Sequence, residues 1–156
     1  MVIKGIHLLQ TYTCNFKCDH CFVYSGPDAK GVMTISDMKQ IFDEAKKLGY
    51  VEWIYFEGGE PFLYYQTMLW GLRQAKKLGF KTGIVTNCYW ATSTEDAIEW
   101  LKPIAEIGID DLSISDDTYH FEKPEENLAR HAFHGAKELT LPVGKISIED
   151  PRVYMK

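Results

Sequence analysis

The sequence predicts an α/β fold, a partial parallel (β/α) barrel of about five strands and four helices. Three observations carry this expectation. Short β-rich runs alternate with segments of helical periodicity along the whole chain. The pentapeptide Ala-Lys-Lys-Leu-Gly occurs at Ala45–Gly49 and again at Ala75–Gly79, with a looser echo at Ala105-Glu106-Ile107-Gly108. One strand–helix unit therefore repeats at a period of about 30 residues. Each unusual polar cluster also follows the C-terminal end of a predicted strand, where parallel α/β folds carry their functional groups.

The first strand is Gly5–Thr11, a short β-rich run. The first helix follows Thr34-Ile35-Ser36-Asp37, which reads as a capping box. Its apolar face is Ile35, Met38, Ile41, Phe42, Ala45 and Leu48. Gly49 then stands where a helix ends, in the left-handed C′ position. The second strand is Val51–Phe56, and the second helix shows Met68, Leu69, Leu72, Ala75 and Leu78 on one face before Gly79. Lys81–Thr86 is the third strand. Ser93-Thr94-Glu95-Asp96 caps a third helix whose face is Ala97, Ile98, Leu101, Ile104 and Ala105. Pro103 inside that helix predicts a kink or an early end. Asp110–Ser115 is the fourth strand, a fourth helix lies within Glu125–Leu139, and Val143–Ile148 is the fifth strand. A closed eight-unit barrel takes about 250 residues, so a chain of 156 forms only part of one.

Composition narrows the function. The chain is 46% apolar and 25% charged, enough to bury a core. Its formal net charge is −5, with no lysine or arginine block. That gives no electrostatic case for nucleic acid or for an anionic membrane. No segment approaches a transmembrane span, and the N-terminus lacks a signal-peptide pattern. The expected location is cytoplasmic, where cysteines serve as metal ligands or free thiols rather than disulfides.

Cys14, Cys18 and Cys21 stand in the spacing C-x3-C-x2-C after the first strand. Three thiolates this close can hold three corners of a metal cluster, whereas a [4Fe–4S] cluster normally takes four cysteines. Three leave one iron open to an outside ligand. Glu57-Gly58-Gly59-Glu60-Pro61 follows the second strand, Thr86-Asn87-Cys88 ends the third, and Ser113, Ser115, Asp116 and Asp117 end the fourth. One shared site at that edge is expected. A structural zinc site with Cys88 or His20 as fourth ligand is the alternative for the cysteines. Cys88 reads as a small buried residue at a strand end, and Glu57 as a strand-end carboxylate. His131 and His134 could share a helix face in a solvated or packing role.

The cysteine spacing after a first strand, joined to Gly58-Gly59-Glu60-Pro61 after a second, resembles the radical S-adenosylmethionine (SAM) superfamily across about Gly5–Ile148. The resemblance implies that Cys14, Cys18 and Cys21 hold a [4Fe–4S] cluster whose open iron is chelated by SAM. Reductive cleavage would then give a 5′-deoxyadenosyl radical that abstracts hydrogen from a peptide, protein or small-molecule substrate. It implies that Gly58 and Gly59 let the backbone approach the methionine part, and that their carbonyls, with Glu60, accept from its amino group. Thr86, Asn87, Ser113 and Ser115 would face the ribose hydroxyls and the carboxylate, with Arg130 as a further carboxylate partner. His20 stands where an aromatic residue is common and would lie by the adenine. Gly144–Ile148 partly resembles the adenine-contacting strand, with Ile148 where a second glycine is usual.

An electron donor such as flavodoxin or ferredoxin is implied as a partner. Gly-Gly-Glu-Pro and Ser115-Asp116-Asp117 resemble the branch that modifies peptides, proteins and cofactor precursors, an oxidoreductase role. A small glycyl-radical activating enzyme is the alternative within the family, and a non-catalytic iron–sulfur or zinc protein of the same fold lies outside it. The family core is a six-unit partial barrel, so 1–156 is expected to be a single core domain truncated at its C-terminus. Self-association as a homodimer would cover the exposed sheet edge.

Overall fold

Along residues 53–57 and Asp111–Ser115 the side chains that point one way are apolar and those that point the other way are polar or aromatic. That division decides which face the helices cover. The computed structural model describes residues 2–121 and 123–148. Its strands are β1 (Gly5–Thr11), β2 (Trp53–Gly58), β3 (Lys81–Thr86), β4 (Asp111–Ser115) and β5 (Val143–Ile146). All pair in parallel, in the order β1-β2-β3-β4-β5. The crossovers carry α1 (Ile35–Leu48), α2 (Tyr65–Lys77), α3 (Thr94–Ile107) and α4 (Ala129–Glu138). Strands that stay in sequence order form a barrel wall. A doubly wound sheet would reverse its order at a switch point. The wall here has five strands, a partial barrel.

Leu8, Ile54, Phe56, Ile84, Leu112 and Ile114 face the helices and are buried. They form one core with Met38 and Phe42 of α1, Met68 and Leu72 of α2, Leu101 and Ile104 of α3, and Ala132 and Ala136 of α4. Burying each large member is worth about 1.5–3 kcal/mol.

The helix signals act as the sequence reads them. Thr34 accepts from the Asp37 N–H at 3.2 Å, while the Asp37 carboxylate accepts from the Thr34 N–H at 2.8 Å, completing the capping box. Ser93 accepts from the Asp96 N–H at 3.0 Å. The glycines that end the two Ala-Lys-Lys-Leu repeats, Gly49 and Gly79, have φ of 75° and 85°, and Gly108 has 72°.

Some boundaries differ. Pro103 does not end α3, which runs on to Ile107. Ile104 beyond the proline is fully buried, and that packing holds the last turn despite the missing N–H. β2 begins at Trp53 rather than Val51, because the Glu52 and Trp53 N–H groups both turn to the Lys4 carbonyl. Asp110 precedes β4 instead of starting it. Its carboxylate accepts from the Thr82 N–H at 2.8 Å and pairs with Lys76 at 2.9 Å. β5 stops at Ile146, whose carbonyl accepts from the Asp116 N–H. A 3-10 turn, Pro61–Tyr64, precedes α2.

On the concave side, the His7 ring stacks on Tyr55 with centroids 4.7 Å apart. The Tyr55 ring occupies the space above Gly83, where a Cβ would lie 2.2 Å from ring carbon Cε1. Gly83→Ala should therefore displace that ring and cost roughly 1–3 kcal/mol. Thermal unfolding of the two proteins checks this; an unchanged melting temperature would mean the ring is not seated on β3.

Candidate functional site

The loop after β1 carries the three cysteines, and backbone bonds fold it into a closed unit. The Tyr12 N–H donates to Gly31 O at 3.1 Å, Cys14 N–H to Gly26 O at 3.1 Å, and Met33 N–H to Gln10 O at 2.7 Å. The hydroxyls of Thr11 and Thr13 donate to the Gly31 and Ala29 carbonyls at 2.9 and 2.8 Å. The loop thus begins and ends beside the last residues of β1.

All four cysteines are free thiols. Cys14 is buried, and Cys18 and Cys21 are half-buried. Donors point at two of the sulfurs. Phe16 N–H lies 3.4 Å and Asn87 Nδ2 3.5 Å from Cys14 Sγ, and Ser25 N–H lies 3.3 Å from Cys21 Sγ. Burial pushes the Cys14 thiol above its ordinary value. Burial, followed by the charges of Cys14 and Cys21, pushes Cys18 up to about 11. Three crowded thiols cannot all ionise without a positive charge among them, and a bound metal supplies that charge. N–H groups aimed at sulfur are what an iron–sulfur site uses to hold its thiolates. The residues fit a cluster.

The turn after β2 is locked against this loop. Gly59 N–H donates to Thr11 O at 2.7 Å, and Glu60 N–H to Thr13 O at 3.0 Å. A Cβ on Gly59 would lie 2.1 Å from Thr13 O, and one on Gly58, at φ +127°, would lie 2.5 Å from Thr11 O. Only glycine allows that approach.

Glu60 is fully buried and its carboxylate takes three donors. Oε1 accepts from Phe62 N–H at 3.0 Å and the Thr86 hydroxyl at 2.9 Å, and Oε2 accepts from Asn87 N–H at 2.8 Å. Burial raises its pKa to about 7 against the pull of those bonds. Asn87 extends the chain of contacts: its Nδ2 also reaches Asn15 Oδ1 at 3.0 Å. Turn, β3 end and cysteine loop are therefore one connected unit.

A cavity of about 470 Å³ opens beside it. Its lining brings together Cys14, Cys18, His20, Cys21, Gly58, Gly59, Thr86, Asn87, Ser113 and Ser115. Two expected contacts are not brought there. Glu60 lies outside the lining. Its carboxylate is committed as above and its carbonyl accepts from Leu63 N–H, so it braces the turn instead of offering an acceptor to a ligand. Arg130 is exposed on α4 and also lies outside the lining. The Thr86 hydroxyl is taken up by Glu60 and by Trp90 Nε1 at 3.0 Å. Cys88 is fully buried behind the strand end and does not line the cavity. His131 Nδ1 sits 3.2 Å from the Thr94 hydroxyl, away from the cavity.

The profile of the radical SAM superfamily matches residues 8–140. The chain belongs to the radical SAM superfamily. Its cofactors are accordingly a [4Fe–4S] cluster and SAM. Over 116 residues the chain is 36% identical to the tungsten-containing aldehyde ferredoxin oxidoreductase cofactor-modifying protein of Pyrococcus furiosus, covering 74% of this chain and 31% of that protein. Over 120 residues it is 28% identical to the peptide biosynthesis protein YydG of Bacillus subtilis, covering 77% of this chain and 38% of that one. The chain thus spans about a third of the length of these relatives. The structure of BtrN in complex with AdoMet and 2-DOIA superposes with a TM-score of 0.63 at 17% identity, over 94% of this chain and 57% of BtrN. That likeness shows the fold.

Several radical SAM lining residues escape a reading of strand ends. His7, Tyr55 and Val85 line the cavity from strand interiors, and His120 from the segment after β4. Their signal is the period of two: each strand residue alternates with the buried apolar set.

Glu60 yields a pH prediction. Its folded pKa of about 7 lies above the ordinary value of 4.5, so the native protein holds a proton that the unfolded chain releases. The contribution is full below about pH 4.5 and is lost as pH rises through about 7, a loss on the order of 3 kcal/mol. Glu60→Gln should lower stability overall, because an amide nitrogen would face the Asn87 N–H, yet flatten this slope. Urea unfolding across that range checks both; equal slopes in the two proteins would refute the assignment.

Proposed function

We propose that this chain is the catalytic core of a radical SAM enzyme, with Cys14, Cys18 and Cys21 as the cluster ligands. The observation that carries it is convergence. Three crowded thiols, two with N–H groups directed at their sulfurs, share one cavity with the Gly58-Gly59 turn and the ends of β3 and β4. When bound, the cluster and SAM supply one-electron cleavage of the sulfonium and a 5′-deoxyadenosyl group that takes hydrogen from substrate.

The chain's own residues bind and orient. The Gly58 and Gly59 backbone offers carbonyl acceptors to the SAM amino group. Asn87 fixes Cys14 through its amide. Ser113 donates to Asp111 at 2.8 Å, which leaves its hydroxyl oxygen an acceptor toward ribose. Ser115 stands two residues further along the same face. The His20 ring and the Ile146 side chain give the adenine apolar surface. Glu60 and Thr86 serve by holding this frame. An electron enters from a flavodoxin or ferredoxin. Among the described residues no helix is long and apolar enough to cross a membrane.

The substrate class is a peptide or a cofactor precursor. A cofactor-modifying relative and a peptide-biosynthesis relative support that reading. The decisive experiment is anaerobic reconstitution followed by reduction with SAM present. 5′-Deoxyadenosine should form, and its absence from protein with full iron and sulfide would favour a non-catalytic role.

Two variant sets follow. Replacing Cys14, Cys18 or Cys21 by Ala should abolish bound iron and sulfide, whereas Cys88→Ala should keep both. Iron analysis decides; loss in Cys88→Ala would indicate a four-cysteine site. Gly59→Ala should push back the chain leading to Cys14, so both cluster content and SAM affinity fall, with roughly 1–3 kcal/mol lost in stability. Calorimetry and iron analysis test this together, and a fully loaded Gly59→Ala protein would show that the turn and loop move independently.

A further inference from the structure

The segment after β4 carries Asp117 and His120, and His120 lines the cavity. The Asp117 side chain is 2% exposed and that of His120 13%. One ligand-capable atom from each of His20, Asp117 and His120 lies within 4.8 Å of the other two. Asp117 Oδ1 takes the N–H groups of Tyr119 and His120 at 3.1 and 3.2 Å and lies 2.8 Å from His120 Nδ1.

That crowding leaves the other oxygen unserved. Asp117 Oδ2 is buried and has no hydrogen-bond partner among the described residues, and the same holds for His20 Nδ1. Unpaired buried polar atoms are costly and rare. No lysine or arginine among the described residues forms an ion pair with Asp117, since Lys145 pairs with Asp116 instead. The rings of Tyr119, 4.6 Å from His20, and Phe16, 6.1 Å from His120, wall the cluster.

We infer that His20, Asp117 and His120 form a mononuclear site for a divalent first-row transition metal ion, zinc or ferrous iron in type, beside the cysteine loop. Two imidazoles and one carboxylate are a donor set suited to such ions and not to calcium or magnesium. The ion gives Asp117 Oδ2 and His20 Nδ1 the partner they lack. Three protein ligands leave a coordination position open to the cavity, which His20 and His120 both line. The site stands on these three side chains and does not require the cluster.

The test is titration of the protein with Zn2+, in cluster-loaded and metal-free forms, read by zinc content after desalting, zinc K-edge absorption and melting temperature. Cluster-loaded protein should keep one zinc ion per chain, ligated by nitrogen and oxygen without sulfur, and should melt at a higher temperature. His120→Ala and Asp117→Asn should each lower zinc affinity by more than the roughly 100-fold that loss of an outer-sphere partner costs. Their iron and sulfide content should stay unchanged. His134→Ala, an exposed histidine of α4, should bind as the parent does.

Metal-free protein should bind a second zinc through sulfur and lose only the sulfur-free ion on His120→Ala. Should His120→Ala fail to fold, Asp117→Asn, which keeps the side chain's size, carries the test. No zinc on loaded protein, sulfur in its absorption spectrum, or parental affinity in Asp117→Asn would overturn the site. A failure to assemble any cluster would sink the reading of the cysteines and leave the metal-free arm to decide this one.

Discussion

The close backbone contact between Gly59 and Thr13 is the constraint on which the strand ends depend. A side-chain carbon on Gly59 would lie 2.1 Å from Thr13 O, so the turn after β2 can dock on the chain entering the cysteine loop only if it has none. Docking carries Glu60 inward, where its carboxylate collects donors from Phe62, Thr86 and Asn87. Asn87 in turn reaches Cys14. Three strand ends, contributed by residues far apart in sequence, are thereby held in one arrangement by the chain's own hydrogen bonds. A site that must seat two cofactors gains from such preorganisation, because little ordering remains to be done on binding.

The cysteines present the opposite situation. Their backbone is fixed by the bonds that close the loop, but burial, with the neighbouring thiols adding to it, pushes the Cys14 and Cys18 thiols above their ordinary values. Geometry is ready and charge is not. On the proposed reading of Cys14, Cys18 and Cys21 as ligands, cluster assembly releases the thiol protons and the metal's charge balances the thiolates. The N–H groups of Phe16 and Ser25 already point at sulfur and will stabilise thiolate once it forms.

The barrel wall gives the cavity its character. Helices cover one face of the sheet, leaving His7, Tyr55, Glu57, Val85, Ser113 and Ser115 for the concave side. Because the strands stay in sequence order, all their C-terminal ends open to the same edge. Chemistry carried by the segments after the strands can therefore meet there.

Much of this was legible in the sequence. The capping box at Thr34–Asp37, the glycine stops, the five strands and the cysteine loop all rest on local rules: a side chain three residues from its partner, a left-handed C′ residue, a period of two or 3.6. The gathering of cysteines, glycines, Asn87 and the serines at one edge was also legible, since parallel topology alone fixes which strand ends face together. What the sequence could not decide depends on neighbours brought from afar. Pro103 looked like a helix stop, and the core around Ile104 overrode it. Glu60 read as a ligand acceptor, and tertiary packing turned it into a buried brace. Arg130 read as a partner for a carboxylate, and α4 holds it in solvent away from the cavity. Asp117 and His120 meet His20 only because the segment after β4 packs over the cysteine loop, a distance of about 100 residues along the chain that no local pattern encodes. Short-range hydrogen bonding and periodicity are written in neighbouring residues; burial and charge are properties of the folded surroundings.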